Sequence, residues 1–264
     1  MTHTPWTQNI EAACTKKAAL FSESPLRYLT RSAFAGAFLT LTTLAGFVTG
    51  DLLAAIHPAL SRLAFPLVFC WGLIYILFLN GELVTSNMMY LTAGLYRRAV
   101  SLPHALGILS LCTAGNLAGA ILVGTLAAQT SVLASFSAPD AMAGAVVAAK
   151  LAKPSAELFF SGVLANVFVN ISILSWLSVK NEAARILCVA TPIIMFVLLG
   201  LEHVVANFGS FSLVYFSGAG AAGLSAANTA RQWLFAWLGN YIGGGVLIGL
   251  AYAWLNGGCK SYRD

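Results

Sequence analysis

The sequence predicts an all-α integral membrane protein, with six transmembrane helices in an inverted 3+3 repeat whose second and fifth helices are broken. Three observations predict it. Of the 264 residues, 59% are hydrophobic and only 9% charged, against about 25% charged in soluble chains. Apolar runs recur along the chain at lengths near the roughly 20 residues that a span requires. Two motifs of the first half return in the same order in the second. This composition excludes a nucleic-acid-binding protein, a secreted disulfide scaffold and an ordinary cytosolic enzyme. The five cysteines, Cys14, Cys70, Cys112, Cys188 and Cys259, show no C-x-x-C spacing. They read as small buried hydrophobes, with neither a disulfide framework nor a metal site implied.

Residues 1–28 contain Glu11, Lys16, Lys17 and Glu23 and no continuous apolar stretch. That pattern excludes a cleavable signal peptide and predicts an amphipathic helix from Ile10 to Phe21 on the cytoplasmic face. Residues 29–256 form the transmembrane pore domain, with apolar runs at about 30–49, 63–80, 83–96, 104–128, 155–177, 186–201, 203–217 and 232–255. The second and third of these runs, and again the sixth and seventh, each read as one element interrupted by an acidic residue. Eight runs then make six crossings, and residues 257–264 form a short cytoplasmic tail. With both termini in the cytoplasm, Lys16, Lys17, Arg27, Arg31, Arg97, Arg98, Lys180, Arg185, Lys260 and Arg263 lie on that side. Arg62, Lys150, Lys153 and Arg231 lie on the other. The ten-to-four split obeys the positive-inside rule for an inner-membrane protein, and it accounts for the net charge of +5 without a nucleic-acid partner.

The repeat is carried by Glu82-Leu83-Val84-Thr85-Ser86-Asn87 and Glu202-His203-Val204-Val205-Ala206-Asn207, which share Glu-x-Val-x-x-Asn at an offset of 120. Gly115-Asn116-Leu117-Ala118-Gly119 likewise matches Gly239-Asn240-Tyr241-Ile242-Gly243, at an offset of 124. Three crossings per half invert the second copy relative to the first, the architecture of pores whose substrate path runs past discontinuous helices near the midplane. A carboxylate in hydrocarbon is expensive and faces protein or a wet cavity. Glu82 and Glu202 are therefore expected to accept hydrogen bonds from backbone N–H groups freed at the breaks, with Asn207 supporting the second. Gly81 and Gly200 are expected to supply backbone freedom there.

His203 is the one histidine deep in an apolar run, and an imidazole titrates in water near pH 6.5. Thr85, Ser86, Asn166 and Asn170 add neutral polar groups. Lys150 and Lys153 precede the fourth span, and Lys153 is expected to be solvated or snorkelling at the helix entrance. Donors, one imidazole and no chain of carboxylates describe a path for an anion. Gly218-Ala219-Gly220-Ala221-Ala222-Gly223 fits G-x-G-x-x-G, but no β-α-β unit surrounds it. Nothing suggests a catalytic metal, a cofactor or an enzyme.

From Ser24-Pro25-Leu26 to Gly239-Asn240 these residues resemble the formate/nitrite transporter family. The most specific pieces are Gly81 to Ser86, the helix entrance from Lys150 to Asn166, and Glu202 to Asn207. The resemblance implies a homopentamer in the lipid bilayer, each protomer holding its own aquaporin-like pore. It implies a cytoplasmic constriction at Leu73 and Leu83 and an outer one at Phe69 and Phe196. His203 and Thr85 face the space between, Asn166 orients the histidine network, and Lys150 attracts anions at the periplasmic vestibule. Val84 departs from the phenylalanine usual after that leucine, and Ala165 and Asn170 depart from the cysteine or larger apolar residues common in the fourth span. The function implied is passage of a small monovalent weak-acid anion, nitrite or formate first, linked to protons and crossing as the neutral acid. Lactate, hydrosulfide and a neutral solute such as water or ammonia are the alternatives.

Overall fold

A computed structural model describes residues 5–138 and 141–257. Of the tail expected at 257–264, all but Gly257 lies outside the described residues, as do Lys260 and Arg263. Helix α1 (Pro5–Glu23) leads into α2 (Pro25–Ala54), α3 (Pro58–Phe69), α4 (Trp71–Phe78), α5 (Val84–Tyr96) and α6 (Leu102–Ala127). A 3-10 segment, Ser131–Ser137, precedes α7 (Met142–Ala152), α8 (Ser155–Ser178), α9 (Glu182–Leu198), α10 (Val204–Ser217) and α11 (Ala226–Asn240). The last helix continues in π register over Tyr241–Leu250 into α12 (Ala251–Leu255). The starts are set by local chemistry. Proline occupies the first turn of α2, α3 and α6, where its missing N–H costs nothing. Side chains of His57, Asn181 and Ser225 accept first-turn N–H groups of α3, α9 and α11. These polar caps explain why the helices begin ahead of the apolar runs at 63 and 232.

Five helical segments among the described residues are long and apolar enough to cross a membrane: Pro25–Ala54, Pro58–Phe78, Leu102–Ala127, Ser155–Ser178 and Ala226–Leu255. Their outer faces carry Phe34 and Leu41, Leu106 and Leu122, and Phe160 and Leu164, all exposed, while Asn116, Asn166, Asn170 and Glu202 are buried. Apolar residues outside and polar ones inside suit a hydrocarbon solvent, which cannot satisfy a polar group.

Two glycine motifs set the closest helix contacts. A Cβ at Gly119 would strike the Ala33 carbonyl of α2, and one at Gly115 would meet Ser32. On the other side of the molecule, a Cβ at Gly239 or Gly243 would strike the Phe159 or Val163 carbonyl of α8. The two G-N-x-x-G motifs therefore do the same work twice, letting α6 approach α2 and α11 approach α8. Small residues drive this kind of packing where water supplies no hydrophobic force between helices.

Helix α7 is an element that the sequence pattern alone did not separate from its surroundings. It buries Ala143, Val147 and Leu151, one helical face, in a cluster with Phe47, Phe136 and Phe211. Asp51 of α2 accepts its first N–H, from Met142, at 2.8 Å. Arg231 of α11 donates to the Leu151 carbonyl at its other end, at 2.7 Å. An anion at the N-terminus and a cation at the C-terminus both match the helix dipole. Helix α1 is amphipathic and buries Ile10 and Cys14 completely. It is fastened by Glu11–Arg97 at 2.8 Å and by the Cys14 thiol to the Tyr90 carbonyl at 2.8 Å.

Candidate functional site

Both interruptions fall on the same five positions of the repeat, 79–83 before α5 and 199–203 before α10. The second residue of each is left-handed, Asn80 at φ 54° and Gly200 at φ 65°. The expected use of Gly81 is thus corrected. Asn80 takes the left-handed turn, and Gly81 is small because a Cβ there would press to 3.3 Å from Ala35. Each interruption ends with an extended residue that starts the next helix, Leu83 in the first and His203 in the second. The one imidazole of the site and the leucine across from it therefore occupy equivalent positions.

The polar groups released at these breaks are satisfied in duplicate. Asn116 Oδ1 accepts the Val84 N–H at 2.9 Å, while its Nδ2 donates to the carbonyls of Glu82 and Ser32 at 2.8 and 2.7 Å. Asn240 Oδ1 accepts the Val204 N–H at 2.9 Å, while its Nδ2 donates to the carbonyls of Glu202 and Gly162, each at 2.8 Å. The amide of asparagine, an acceptor and two donors on one short stem, is the side chain able to do this.

The carboxylates have a different task from the one expected. They accept from side chains rather than from freed backbone N–H groups; the Val84 and Val204 N–H groups go to the two asparagines instead. Glu82 Oε2 accepts Lys17 at 2.7 Å, the Tyr28 hydroxyl at 3.0 Å and Asn87 at 3.0 Å. Glu202 Oε2 accepts Lys150 at 2.9 Å, Asn207 at 2.9 Å and Gln232 at 2.8 Å, and its Oε1 accepts Lys153 at 2.8 Å. Lys153 is therefore not a solvated entrance lysine. The carboxylate it pairs with is fully buried, and a buried charge requires such partners.

His203 lies between these clusters and is 2% exposed. Its Nδ1 accepts the Ala206 N–H at 3.2 Å, so the side chain caps α10. With Nδ1 an acceptor, the ring proton resides on Nε2, which is 2.8 Å from Thr85 Oγ1. Among the described residues Asn166 makes no hydrogen bond to the imidazole. It donates to the Thr85 and Asn240 carbonyls at 3.0 and 2.7 Å, so it holds the start of α5 against the last span, and Thr85 in turn meets His203.

Leu73, Leu83, Phe69, Phe196 and His203 together line one cavity of about 10 Å³, the room of roughly a single water. Phe196 packs edge-on to Phe69 at 6.1 Å and lies 5.9 Å from the His203 ring. Leu73 also borders a second cavity, of about 220 Å³, beneath α1. Lys16, Lys17 and Arg31 contribute three cations to its wall against the single carboxylate of Glu82. Leu73 is common to the basic cavity and to the apolar one that His203 lines, and the residue before His203 is Glu202 with its two lysines.

The profile of the family described as "Formate/nitrite transporter" matches residues 5–254. The chain belongs to the formate/nitrite transporter family. It is a membrane transporter of that family, and its helices carry the family's channel fold. Nitrite transporter NirC of Escherichia coli (strain K12) is 30% identical over 236 residues, 89% of this chain and 85% of that one. An FNT family ion channel of known structure superposes with a TM-score of 0.85 at 28% identity, covering 94% of this chain and 98% of the other. A pentameric formate channel with formate bound gives 0.72 at 22% identity, covering 88% and 97%.

The family resemblance singled out His203, Thr85, Lys150 and the four apolar plug residues. Lys17, Tyr28, Arg231 and Gln232 went unmarked because each reaches its partner from a distant helix. Asn116 and Asn240 did carry a signal, the repeated G-N-x-x-G, but it shows duplication without showing which groups the amides bind.

Proposed function

We propose that this formate/nitrite transporter moves a small monovalent anion, nitrite or formate, across the inner membrane, and that the substrate passes its centre as the neutral acid. The observation that carries this is the apolar cavity of about 10 Å³ at His203 between two groups of lysines. A bare anion entering it would lose hydration worth several kcal/mol or more. The protonated acid escapes most of that cost. Cations on either side raise the local anion concentration, and the anion gains its proton from hydronium in the surrounding water, or from His203 Nε2 with a solvent proton replacing the one given up. The neutral imidazole then offers its Nε2 hydrogen to the crossing acid in place of Thr85.

In this reading Leu73 and Leu83 form the cytoplasmic constriction, Phe69 and Phe196 form the outer one, and Lys150 captures the anion from the periplasm. Asn166 and Asn207 hold the breaks, together with Glu82 and Glu202. Residues 29–256 form six crossings, with α3–α5 and α9–α10 as the broken second and fifth helices and the two halves inverted. The matched bonds of Asn116 and Asn240 support that inversion. Residues 1–28 lie on the cytoplasmic side, where the tail also ends. Five copies assemble, as in the pentameric formate channel that shares the fold.

The test is uptake of labelled nitrite, formate and lactate into proteoliposomes, with and without an inward proton gradient. Saturable uptake of nitrite or formate, accelerated by the gradient, is the expected result. Uptake of none of the three, beside rapid permeation of water or ammonia, would overturn the anion reading and favour a neutral-solute pore.

A further inference from the structure

The two breaks share their architecture but not their charge. At Glu82 one ammonium, Lys17, meets the carboxylate, together with two neutral donors. At Glu202 there are two ammoniums. They are held very differently. Lys153 Nζ bridges Glu202 Oε1 and the Gly200 carbonyl, both at 2.8 Å, and Arg231 fixes the carbonyl of Lys153 itself at 2.9 Å. Its side chain thus ties the α7–α8 connection to the left-handed residue of the second break. Lys150, on the last turn of α7, makes one hydrogen bond among the described residues, to Glu202 Oε2. That oxygen keeps Asn207 and Gln232 if the lysine leaves. Lys150 is therefore surplus to the carboxylate, and Lys153 is not.

We propose that Lys153 is a positioning residue for anion capture: by neutralising Glu202 and anchoring its break, it leaves the Lys150 ammonium available to an anion arriving from the α7 side. The proposal rests on the anion-transport reading above and assigns a role to a lysine outside the path. With Lys153 present, Lys150 exchanges a carboxylate already matched by another cation for the incoming anion. With Lys153 neutral, Lys150 becomes the sole counter-ion of a buried carboxylate. Removing it would then leave an uncompensated charge, which proteins tolerate poorly. Arg231 completes the device from behind, by holding the Leu151 and Lys153 carbonyls at the end of α7.

The experiment compares the wild-type chain with Lys153→Gln, Lys153→Arg and Lys150→Gln in oriented proteoliposomes, with nitrite added on the α7 side. A Lys150 ammonium that must answer the whole charge of Glu202 attracts the anion less, and a loss the size of one partly screened ion pair corresponds to about a tenfold rise in KM. Lys153→Gln is expected to show that rise with a change in maximal rate of less than about threefold, and Lys153→Arg to return KM to within about twofold of wild type. Lys150→Gln, which leaves Lys153 on Glu202, is expected to fold and to raise KM at least as far, because the lysine removed is the one that meets the anion. A folded Lys153→Gln protein with wild-type KM would overturn the proposal. So would failure of both Lys153 variants to fold, which would assign the residue to the fold alone. Absence of nitrite and formate uptake in the wild type would instead refute the anion-transport reading, so the two failures are told apart.

Discussion

Replacing Asn240 with leucine tests how the second break is held. Leucine branches as asparagine does but has neither acceptor nor donors, so the Val204 N–H and the carbonyls of Glu202 and Gly162 all lose their partner. Asn240 is fully buried. An orphaned buried polar group costs about 1–3 kcal/mol in soluble proteins. Side-chain hydrogen bonds within membranes average nearer 0.6 kcal/mol, because the unfolded chain in lipid also finds partners. Three losses between those limits give about 2–9 kcal/mol, enough to lower the stability of the folded protein visibly. The assay is thermal or SDS-induced unfolding in detergent, followed by circular dichroism, with Asn116→Leu measured alongside. The two variants are expected to lose similar amounts, since the bonds match in kind and length. Asn240→Asp is expected to lose at least as much, because an ionised carboxylate keeps the Val204 N–H but turns its second oxygen on two carbonyl oxygens at a fully buried site. A loss below about 1 kcal/mol for Asn240→Leu would show that the breaks are held chiefly by packing, and would refute this account of them.

Other expectations follow from the same geometry. His203→Phe removes both the Nε2 donor and the cap on Ala206, and is expected to slow nitrite or formate flux at neutral pH by about tenfold or more. Its pH profile should also change, and unchanged flux and profile would remove His203 from the mechanism. Gly119→Val places a branched side chain against the Ala33 carbonyl, so α6 must part from α2 at a cost of about 1–3 kcal/mol. The measurement is again unfolding in detergent, against Gly107→Val, where the nearest obstacle is the end of the Phe21 ring and the cost should be smaller. Burial pushes the Cys14 thiol up to about 12, so at pH 8 it is protonated and unreactive towards maleimide. Lys17→Ala, which releases α1 from Glu82, should speed its labelling. Equal rates in the two proteins would show that the ion pair does not hold α1 in place.

The helical, membrane-embedded character of the chain was legible because it is a property of composition: charge is scarce everywhere, and apolar runs reach the length of a bilayer. The duplication was legible because Glu82 and Glu202 stand out against hydrocarbon and return at a constant offset with Asn87 and Asn207. The resemblance named His203, Thr85 and Lys150 because short motifs preserve their spacing. It implied two constrictions, Leu73 with Leu83 and Phe69 with Phe196, and in the structure all four line one cavity with His203. Lys153 was read as solvated because an isolated lysine near a helix entrance has no visible counter-ion in one dimension. Its partner lies 49 positions away.

The sequence by itself determined the membrane class, the family and the positions where carboxylates interrupt apolar helices, since these depend on composition and on local order along the chain. Only the tertiary structure decided which groups satisfy the breaks. Asn116 and Asn240 serve the backbone, Tyr28 and Gln232 serve the carboxylates, and Asn80 rather than Gly81 takes the left-handed turn. It also decided that one break carries one ammonium and the other two. Those outcomes depend on helices 30 to 120 residues apart being brought within hydrogen-bond distance by glycine contacts. Side-chain bonds of about 3 Å are fixed by that approach, and local sequence spacing does not encode it.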